Sequence, residues 1–100
     1  MTNTTTLVVT ASPNPSEPAA TQAYLKGVLP LFMGAGGQLV KRLKVTGAVG
    51  GKPGYGMVLV MNFESKDDIE AMFESEEYKA LIPAREKGFT NMSINFANDM

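Results

Sequence analysis

The sequence contains no cysteine and no histidine among its 100 residues. Without cysteine there are no disulfides, no thiolate nucleophile and no thiolate metal site. Without histidine the chain lacks the side chain that most often acts as a general base or as a metal ligand. The two absences together predict a protein that needs no haem and no transition metal, so that its expected cofactors and metal ligands are none.

Excess charge of either sign is also missing, because the formal net charge is −1. This balance gives no reason to expect nucleic acid or an acidic membrane as a partner. Basic residues do cluster at one place in the chain: Lys41, Arg42, Lys44 and Lys52. Since no aromatic residues alternate with them, they indicate a solvated strand edge that discourages aggregation rather than a nucleic-acid site.

Long hydrophobic runs are absent as well. The most apolar window, Gly27–Gly36, is too short for a transmembrane helix and contains Pro30. Met1–Thr10 has neither the basic start nor the apolar stretch of a signal peptide. The expected location is therefore the cytoplasm.

The most informative stretch runs from Met57 to Leu81. Five consecutive apolar residues, Met57–Met61, predict a strand buried on both faces. Ser65, followed three residues later by Asp68, forms a capping box and predicts that a helix starts there. One side of that helix carries an apolar stripe that should face inward: Ile69, Met72 and Phe73.

The remaining segments complete a β-α-β-β-α-β order. The four predicted strands are Thr5–Ala11, Gln38–Thr46, Tyr55–Glu64 and Asn91–Ala97. A first helix, with Ser16 as its N-cap, should kink or break at Pro30, and Pro83 should interrupt the second helical region before Gly88. This order predicts an α+β, ferredoxin-like fold with a four-stranded antiparallel sheet, in one domain of residues 1–100 with residues 1–4 disordered.

Right-handed crossovers place both helical regions on one face of that sheet. Val58 and Val60 point to the other face, which nothing in the chain covers. Strict alternation in the second strand would put Leu39, Lys41, Leu43 and Val45 on one side and Val40, Arg42 and Lys44 on the other. An uncovered apolar sheet face is an association surface, so the expected partner is a second copy of the chain.

Polar residues at inward positions suggest a binding site for a small molecule. Tyr78 and Arg85 are two helical turns apart and share the inward stripe of Leu81. An inward arginine must find a partner or line a cavity, and pairing with a carboxylate or with helix carbonyls is the structural alternative. The candidate ligand-binding residues are Tyr24, Phe32, Asn62, Tyr78 and Arg85. Catalytic residues stay unassigned, since no carboxylate lies on an apolar stripe where burial would raise its pKa.

Several short motifs together carry a family resemblance. They are Gly36-Gly37, the strand Leu39–Arg42, Phe63-Glu-Ser, and the pattern formed by Ser75, Glu77, Tyr78 and Arg85. On these residues the chain, from about Leu7 to Phe96, resembles the dimeric α+β barrel superfamily. More narrowly, it resembles a small family of unknown function that shares its fold with the antibiotic-biosynthesis monooxygenases. Pro83 and the glycine-rich hairpin loop depart from the usual pattern.

The resemblance implies a homodimer in which two sheets form a shared barrel with the helices outside. Relatives bind aromatic polyketides, lactones or haem between sheet and helices, and those that ligate haem use a histidine, which this chain lacks. Three functions remain open: a homodimer that binds a small organic ligand, a cofactor-independent monooxygenase or isomerase acting on a phenolic, polyketide-like or lactone substrate, and a structural or partner-binding dimer without a pocket. The sequence leaves open whether the protein is an enzyme.

Overall fold

The computed structural model describes residues 4–52 and 54–100. Its elements are β1 (Thr5–Pro13), α1 (Pro18–Gly34), β2 (Gln38–Lys44), β3 (Met57–Phe63), α2 (Lys66–Glu74), α3 (Glu76–Lys79), α4 (Ile82–Gly88) and β4 (Phe89–Ala97). Because α2, α3 and α4 follow one another as a single helical region, the predicted β-α-β-β-α-β order is confirmed. Residues 1–3, most of the segment predicted to be disordered, lie outside the described residues.

One antiparallel sheet carries the fold, with the strand order β2-β3-β1-β4. The inward side chains of β1 and β3 alternate with outward ones, as the period of a strand requires. The buried core joins these inward side chains to the helices: Leu7, Val9, Ala11, Leu59, Met61 and Phe63 from the strands, and Tyr24, Val28, Phe32, Ile69, Met72 and Tyr78 from the helices. All of the helices in the described residues therefore cover the same sheet face.

Serine side chains start two of the helices, and the cap at Ser65 confirms the prediction from the sequence. Ser65 Oγ accepts a hydrogen bond from the backbone N–H of Asp68 at 3.4 Å, and Ser75 Oγ accepts one from the N–H of Tyr78 at 3.2 Å. These bonds satisfy donors that the first turn of a helix leaves unpaired. The prediction for Ser16 is wrong, because α1 begins at Pro18 and has Glu17 as its N-cap.

The two prolines have different effects on their helices. The second helical region is interrupted at residues 80–81, just before Pro83, as the sequence predicts, whereas the region around Pro30 stays helical. Helix α1 continues through Pro30 to Gly34, so the predicted break does not occur. The missing N–H of Pro30 would have bonded the carbonyl of Lys26, and both residues lie on the exposed side of the helix, where water can take the place of that donor. Pro83 lies in the first turn of α4, where the backbone N–H has no helical partner to lose.

A β-bulge lies in the edge strand β2. The register passes from Leu39 opposite Met61 to Lys41 opposite Val60, which leaves Val40 as an extra residue. An extra residue reverses the direction of every side chain beyond it. No periodic pattern in the sequence marks the position of such a bulge.

The bulge turns Arg42 and Lys44 to the helix side of the sheet, opposite Leu59 and Met57. Leu39 is on that side as well, so the strict alternation predicted for β2 is wrong. Every residue of β2 is nevertheless exposed, because the strand lies at the edge of the sheet.

The other face of the sheet, called the open face here, has no covering element among the described residues. It is formed by Thr6, Val8, Thr10, Gln38, Lys41, Leu43, Val58, Val60, Asn62, Ser93, Asn95 and Ala97. The prediction that both helical regions lie on one face is therefore confirmed. The molecule has a flat shape, with extents of 41 × 35 × 15 Å between Cα atoms. None of the described helices is both long and apolar enough to span a membrane.

Candidate functional site

Three of the predicted site residues meet in a hydrogen-bonded cluster, the Arg–Tyr–Tyr network of Arg85, Tyr78 and Tyr24. Arg85 Nη1 donates to Tyr78 Oη at 2.9 Å. Tyr78 Oη lies 3.0 Å from Tyr24 Oη, a distance at which one hydroxyl donates to the other. Helices α4, α3 and α1 supply one residue each. Tyr24 is only 3% exposed and Tyr78 only 2%.

Close packing of α4 on α1 fixes the position of Arg85 relative to Tyr24. Thr21 Oγ1 donates to the carbonyl of Gly88 at 2.6 Å across the two helices. A Cβ on Gly88 would lie 2.6 Å from the backbone nitrogen of Thr21, so only glycine allows the approach. The Ser75 cap fixes the other partner, because it orders the short helix that carries Tyr78.

Aromatic rings enclose the two tyrosines. The rings of Tyr24 and Phe89 are 5.5 Å apart, and those of Phe73 and Tyr78 are 4.8 Å apart, both in edge-to-face arrangements. This geometry brings the positive edge of one ring to the negative face of the next. Burial of the two tyrosines lowers the polarity around their hydroxyls and strengthens the hydrogen bond between them.

One hydroxyl hydrogen of the network has no acceptor. A guanidinium can only donate, so Tyr78 Oη accepts from Arg85. One of the two tyrosine hydroxyls then donates to the other. The remaining hydroxyl hydrogen has no acceptor within hydrogen-bond distance among the described residues. The site can therefore donate to a further oxygen or nitrogen atom.

Burial raises the pKa of Tyr24 far above the usual 10.0 of a tyrosine, and the hydrogen bond to Tyr78 raises it further. The charge of Arg85 acts in the opposite direction and does not overcome these effects. Tyr24 is consequently a neutral phenol at physiological pH. It can donate a hydrogen bond, but it does not ionise to serve as a general base.

The charge of Arg85 has no close carboxylate partner. Its nearest acid is Glu86, whose Oε1 lies 3.9 Å from Nη2, and the Arg85 side chain is 28% exposed. The structural alternative predicted from the sequence was pairing with a carboxylate or with helix carbonyls. The described residues provide one long carboxylate contact, to Glu86, and a closer hydrogen bond to the hydroxyl of Tyr78. Several N–H donors of the guanidinium remain free to bind a ligand or water.

Phe32 and Asn62, the other two predicted site residues, lie outside this network. Phe32 belongs to the core and packs edge-on against the rings of Phe63 and Phe73. Asn62 is on the open face, where it accepts a hydrogen bond from Thr6 Oγ1 at 2.7 Å. The grouping of all five residues around one pocket is therefore corrected. Alternation in β3 necessarily directs Asn62 away from the helices when Met61 and Phe63 point toward them.

A cavity of about 20 Å³ lies between α1 and the sheet. Tyr24 and Phe32 form part of its wall, and Arg42 lies at its edge. Its volume is enough for about one water molecule. This cavity therefore has no room for a larger ligand in this conformation, and the ligand-binding role of the five residues stays a prediction.

Next to this cavity is a larger, open depression, called the β2 hollow here. Its volume is about 320 Å³, and its lining residues are Leu25, Arg42, Leu43, Lys44 and Met57. Three of these residues also line the small cavity. The sequence pattern predicts a solvated edge for Arg42 and Lys44, and the bulge directs them toward the helix side of that edge.

Carboxylates do not form a metal site in the part of the chain that the structure describes. No group of three or more aspartate or glutamate side chains there is arranged to hold an ion. The acids between Glu64 and Glu77 include several that lie in the first turns of helices, where their charge complements the helix dipole.

Solved structures with the same fold define the class of protein. A protein of unknown function from Rhodopseudomonas palustris matches with a TM-score of 0.84 and 14% identity over 100% of this chain and 85% of its own. A protein from Bacteroides thetaiotaomicron, named as an antibiotic-biosynthesis monooxygenase, matches with a TM-score of 0.71 and 11% identity over 98% and 90%. Another with that name, from Nitrosomonas europaea, gives 0.63 and 12% over 100% and 93%. The chain thus has the ferredoxin-like α+β fold of these proteins.

The family is defined by sequence. Residues 6–98 match the domain of unknown function DUF1330, and the chain belongs to that family. This assignment confirms the predicted resemblance to a family of unknown function related in fold to the antibiotic-biosynthesis monooxygenases. No curated protein is similar enough in sequence to count as a relative.

Proposed function

We propose that the protein is a homodimer, paired through its open face, that binds a small organic ligand at the Arg–Tyr–Tyr network. The observation that carries the ligand proposal is the unused donor capacity of this network. A buried hydroxyl hydrogen without an acceptor costs free energy, and a ligand oxygen that accepts it recovers that cost. Arg85 adds a positive charge, so the ligand chemistry that fits is a carboxylate or a phenol.

Access to the network is possible from the solvent side of α4. Arg85 is partly exposed, whereas Tyr24 and Tyr78 are buried beneath it. An anionic ligand would meet the guanidinium first and then reach the hydroxyl of Tyr78. Rearrangement of the exposed Glu86 side chain, which makes only a long contact with Arg85, is enough to free the outer nitrogen.

Two properties of the protomer support the homodimer. The open face presents valines and other side chains that the chain itself does not cover. The accessible surface is 6541 Å², whereas a folded monomer of 10.7 kDa is expected to expose about 5,500 Å². A stable pairing of two open faces should bury roughly 1,200–2,000 Å² in total.

A second candidate function, cofactor-independent catalysis, is favoured by the protonation state of Tyr24. A neutral buried phenol next to a guanidinium can stabilise negative charge that develops on a substrate oxygen. Two structural neighbours are named as monooxygenases, at identities that show the fold alone. Turnover of a phenolic or lactone substrate, lost in Tyr78→Phe, would establish catalysis, and binding without turnover would restrict the protein to a binding role.

The ligand proposal is tested by thermal melting of the wild type, Arg85→Met and Tyr78→Phe, each with and without a panel of small carboxylates and phenols. We expect some members of the panel to raise the melting temperature of the wild type but not that of Arg85→Met. Without ligand, Arg85→Met should change the free energy of unfolding by about 1 kcal/mol or less, because it removes one hydrogen bond and one partly solvated charge.

Lys79→Met is the matched control, since it removes an exposed positive charge from the helix that carries Tyr78 without touching the network. The opposite result would be a large loss of stability in Arg85→Met, of about 3–5 kcal/mol, together with no ligand that shifts the wild-type melt. Arg85 would then be a structural residue and the ligand proposal would be wrong.

A further inference from the structure

We propose a second binding site, the β2 hollow, which takes a small organic carboxylate with an apolar body. The carboxylate would contact Arg42 and Lys44, and the body would lie on Leu25 and Met57. No residue of the Arg–Tyr–Tyr network lines the hollow. This proposal is therefore independent of the function proposed above.

Two positive charges without acid partners are the first argument. Arg42 and Lys44 are two residues apart on the same side of β2, at a spacing of roughly 6–7 Å along a strand. The ion pairs among the described residues join Lys66 to Glu70, Arg85 to Glu86 and Lys87 to Glu17, so neither Arg42 nor Lys44 has an acid within 4 Å. Neighbouring like charges repel each other, and one bound anion between them removes that repulsion.

The apolar floor of the hollow is the second argument. Leu25 projects from α1 and Met57 begins β3, and both are only partly buried. They belong to the apolar side chains at the margin of the core. A purely inorganic anion would leave this surface in water, whereas a ligand with a hydrocarbon or aromatic body would cover it.

The volume of the β2 hollow and its connection to the small cavity also support the proposal. A volume of about 320 Å³ is at the lower end of the range for small-molecule sites. The hollow shares Leu25, Arg42 and Met57 with the small cavity beneath α1. A ligand body on Leu25 and Met57 would thus point toward an apolar cavity whose wall includes Tyr24 and Phe32.

A carboxylate matches the two cations in both charge and geometry. The guanidinium of Arg42 presents paired N–H donors that match the two oxygens of a carboxylate. The ammonium of Lys44 contributes a point charge from the same side of the strand. A long polyanion such as a nucleic acid would need a row of positively charged side chains. Here Arg42 and Lys44 instead line a single depression that has an apolar floor.

The test is a titration of the ¹⁵N-labelled protein, followed by NMR, with octanoate and 3-phenylpropanoate as the two carboxylate probes. Acetate has the carboxylate but no apolar body, so it tests the contribution of the body to binding. Octylamine has an alkyl chain with a positive charge, so it tests the contribution of the negative charge. We expect saturable shifts of the backbone amides around Leu25 and Met57 with at least one carboxylate probe. Stronger binding of octanoate would indicate an alkyl ligand, and stronger binding of 3-phenylpropanoate an aromatic one.

Arg42→Gln should weaken the binding of the better probe about tenfold, the effect of losing one charge-assisted interaction. Lys41→Gln is the matched control, because Lys41 is adjacent in sequence but directed to the open face. Light scattering on both variants should show that their oligomeric state is the same.

Four results would overturn the proposal. The first three are the absence of saturable binding by either carboxylate, equal binding of octylamine, and equal weakening by Arg42→Gln and Lys41→Gln. The third result would mean that the ligand responds to the general charge of β2 and does not occupy the hollow. The fourth result, loss of binding in Arg85→Met with retention in Arg42→Gln, would assign the carboxylate to the Arg–Tyr–Tyr network instead.

Discussion

Tyr24 shows at the scale of a single residue how burial changes chemistry. Its hydroxyl lies among aromatic rings and bonds to Tyr78, so the neutral form is strongly preferred over the phenolate. Because its hydroxyl stays protonated, Tyr24 can donate a hydrogen bond but cannot act as a general base. Any catalytic role for Tyr24 would therefore be electrostatic, as a hydrogen bond to substrate oxygen.

This burial predicts a loss of stability at alkaline pH. The unfolded chain releases the Tyr24 proton above pH 10.0, whereas the folded protein retains it because its pKa is raised. The free energy of unfolding should therefore fall as pH rises beyond that value, by roughly 1.4 kcal/mol per pH unit for this one group. Urea unfolding between neutral pH and alkaline pH measures the slope.

Tyr24→Phe should flatten that slope, at a cost of about 1 kcal/mol at neutral pH for the lost hydrogen bond. Tyr55→Phe, at an exposed position before β3, is the matched control. Identical alkaline slopes in the wild type and in Tyr24→Phe would show that Tyr24 ionises in the folded protein, contrary to this expectation.

The sequence predicts the relative placement of two residues well when both lie close together in the same helical region. The seven-residue spacing of Tyr78 and Arg85 placed them on one side of their helices, and the structure joins them directly. Their contact with Tyr24 depends on how α4 and α3 pack on α1, which no spacing encodes. Asn62 was misplaced for a different reason, since strand alternation already directs it to the face that the helices leave open.

At the scale of elements, the α1–α4 contact is the part of the fold that most tightly constrains the site. Gly88 approaches the backbone of Ala20 and Thr21, and the Thr21 hydroxyl bonds its carbonyl. Backbone atoms cannot move aside as the end of a flexible side chain can. Any side chain at position 88 must separate the two helices.

Gly88→Ala should therefore destabilise the protein by about 3 kcal/mol, because the added methyl group would lie 2.6–2.8 Å from backbone atoms of α1. Gly34→Ala is the matched control. A Cβ at the end of α1 meets nothing within 4 Å, and the higher helix propensity of alanine should leave stability unchanged or raise it by up to about 1 kcal/mol. Urea unfolding of both variants checks the contrast, and equal stabilities would contradict the close approach.

The sequence predicts which segments form helices and strands better than it predicts where these segments begin, end or bulge. Ser65 and Ser75 cap helices because each lies next to the backbone donors that it satisfies. Pro30 did not break α1, since the packing of Tyr24, Val28 and Phe32 on the sheet outweighs one missing hydrogen bond on the exposed side. The bulge at Val40 had no sequence signal, although it decides which side of the sheet carries Arg42.

At the scale of the whole molecule, the protomer is a two-layer structure with one face left uncovered. Helices cover one side of the sheet, and the molecule is only 15 Å thick between Cα atoms. Val8 and Val60 lie opposite each other on the open face, next to Val58. Charged and polar groups surround this strip, including Lys41 and Asn95 on the neighbouring strands. An apolar centre with a polar rim is the usual composition of a protein interface.

Val60→Asp tests whether this face is the dimer interface. A carboxylate at the centre of two paired sheets would be buried without a partner, which should raise the dimer dissociation constant at least about a hundredfold and lower the melting temperature with it. Val49→Asp introduces the same charge at a fully exposed valine in the glycine-rich loop, so it controls for charge and composition. Sedimentation velocity over a range of micromolar concentrations measures both variants against the wild type. A wild-type monomer at these concentrations would exclude the dimer. A Val60→Asp protein that remains a folded monomer as stable as the wild type would show that the open face does not need a cover.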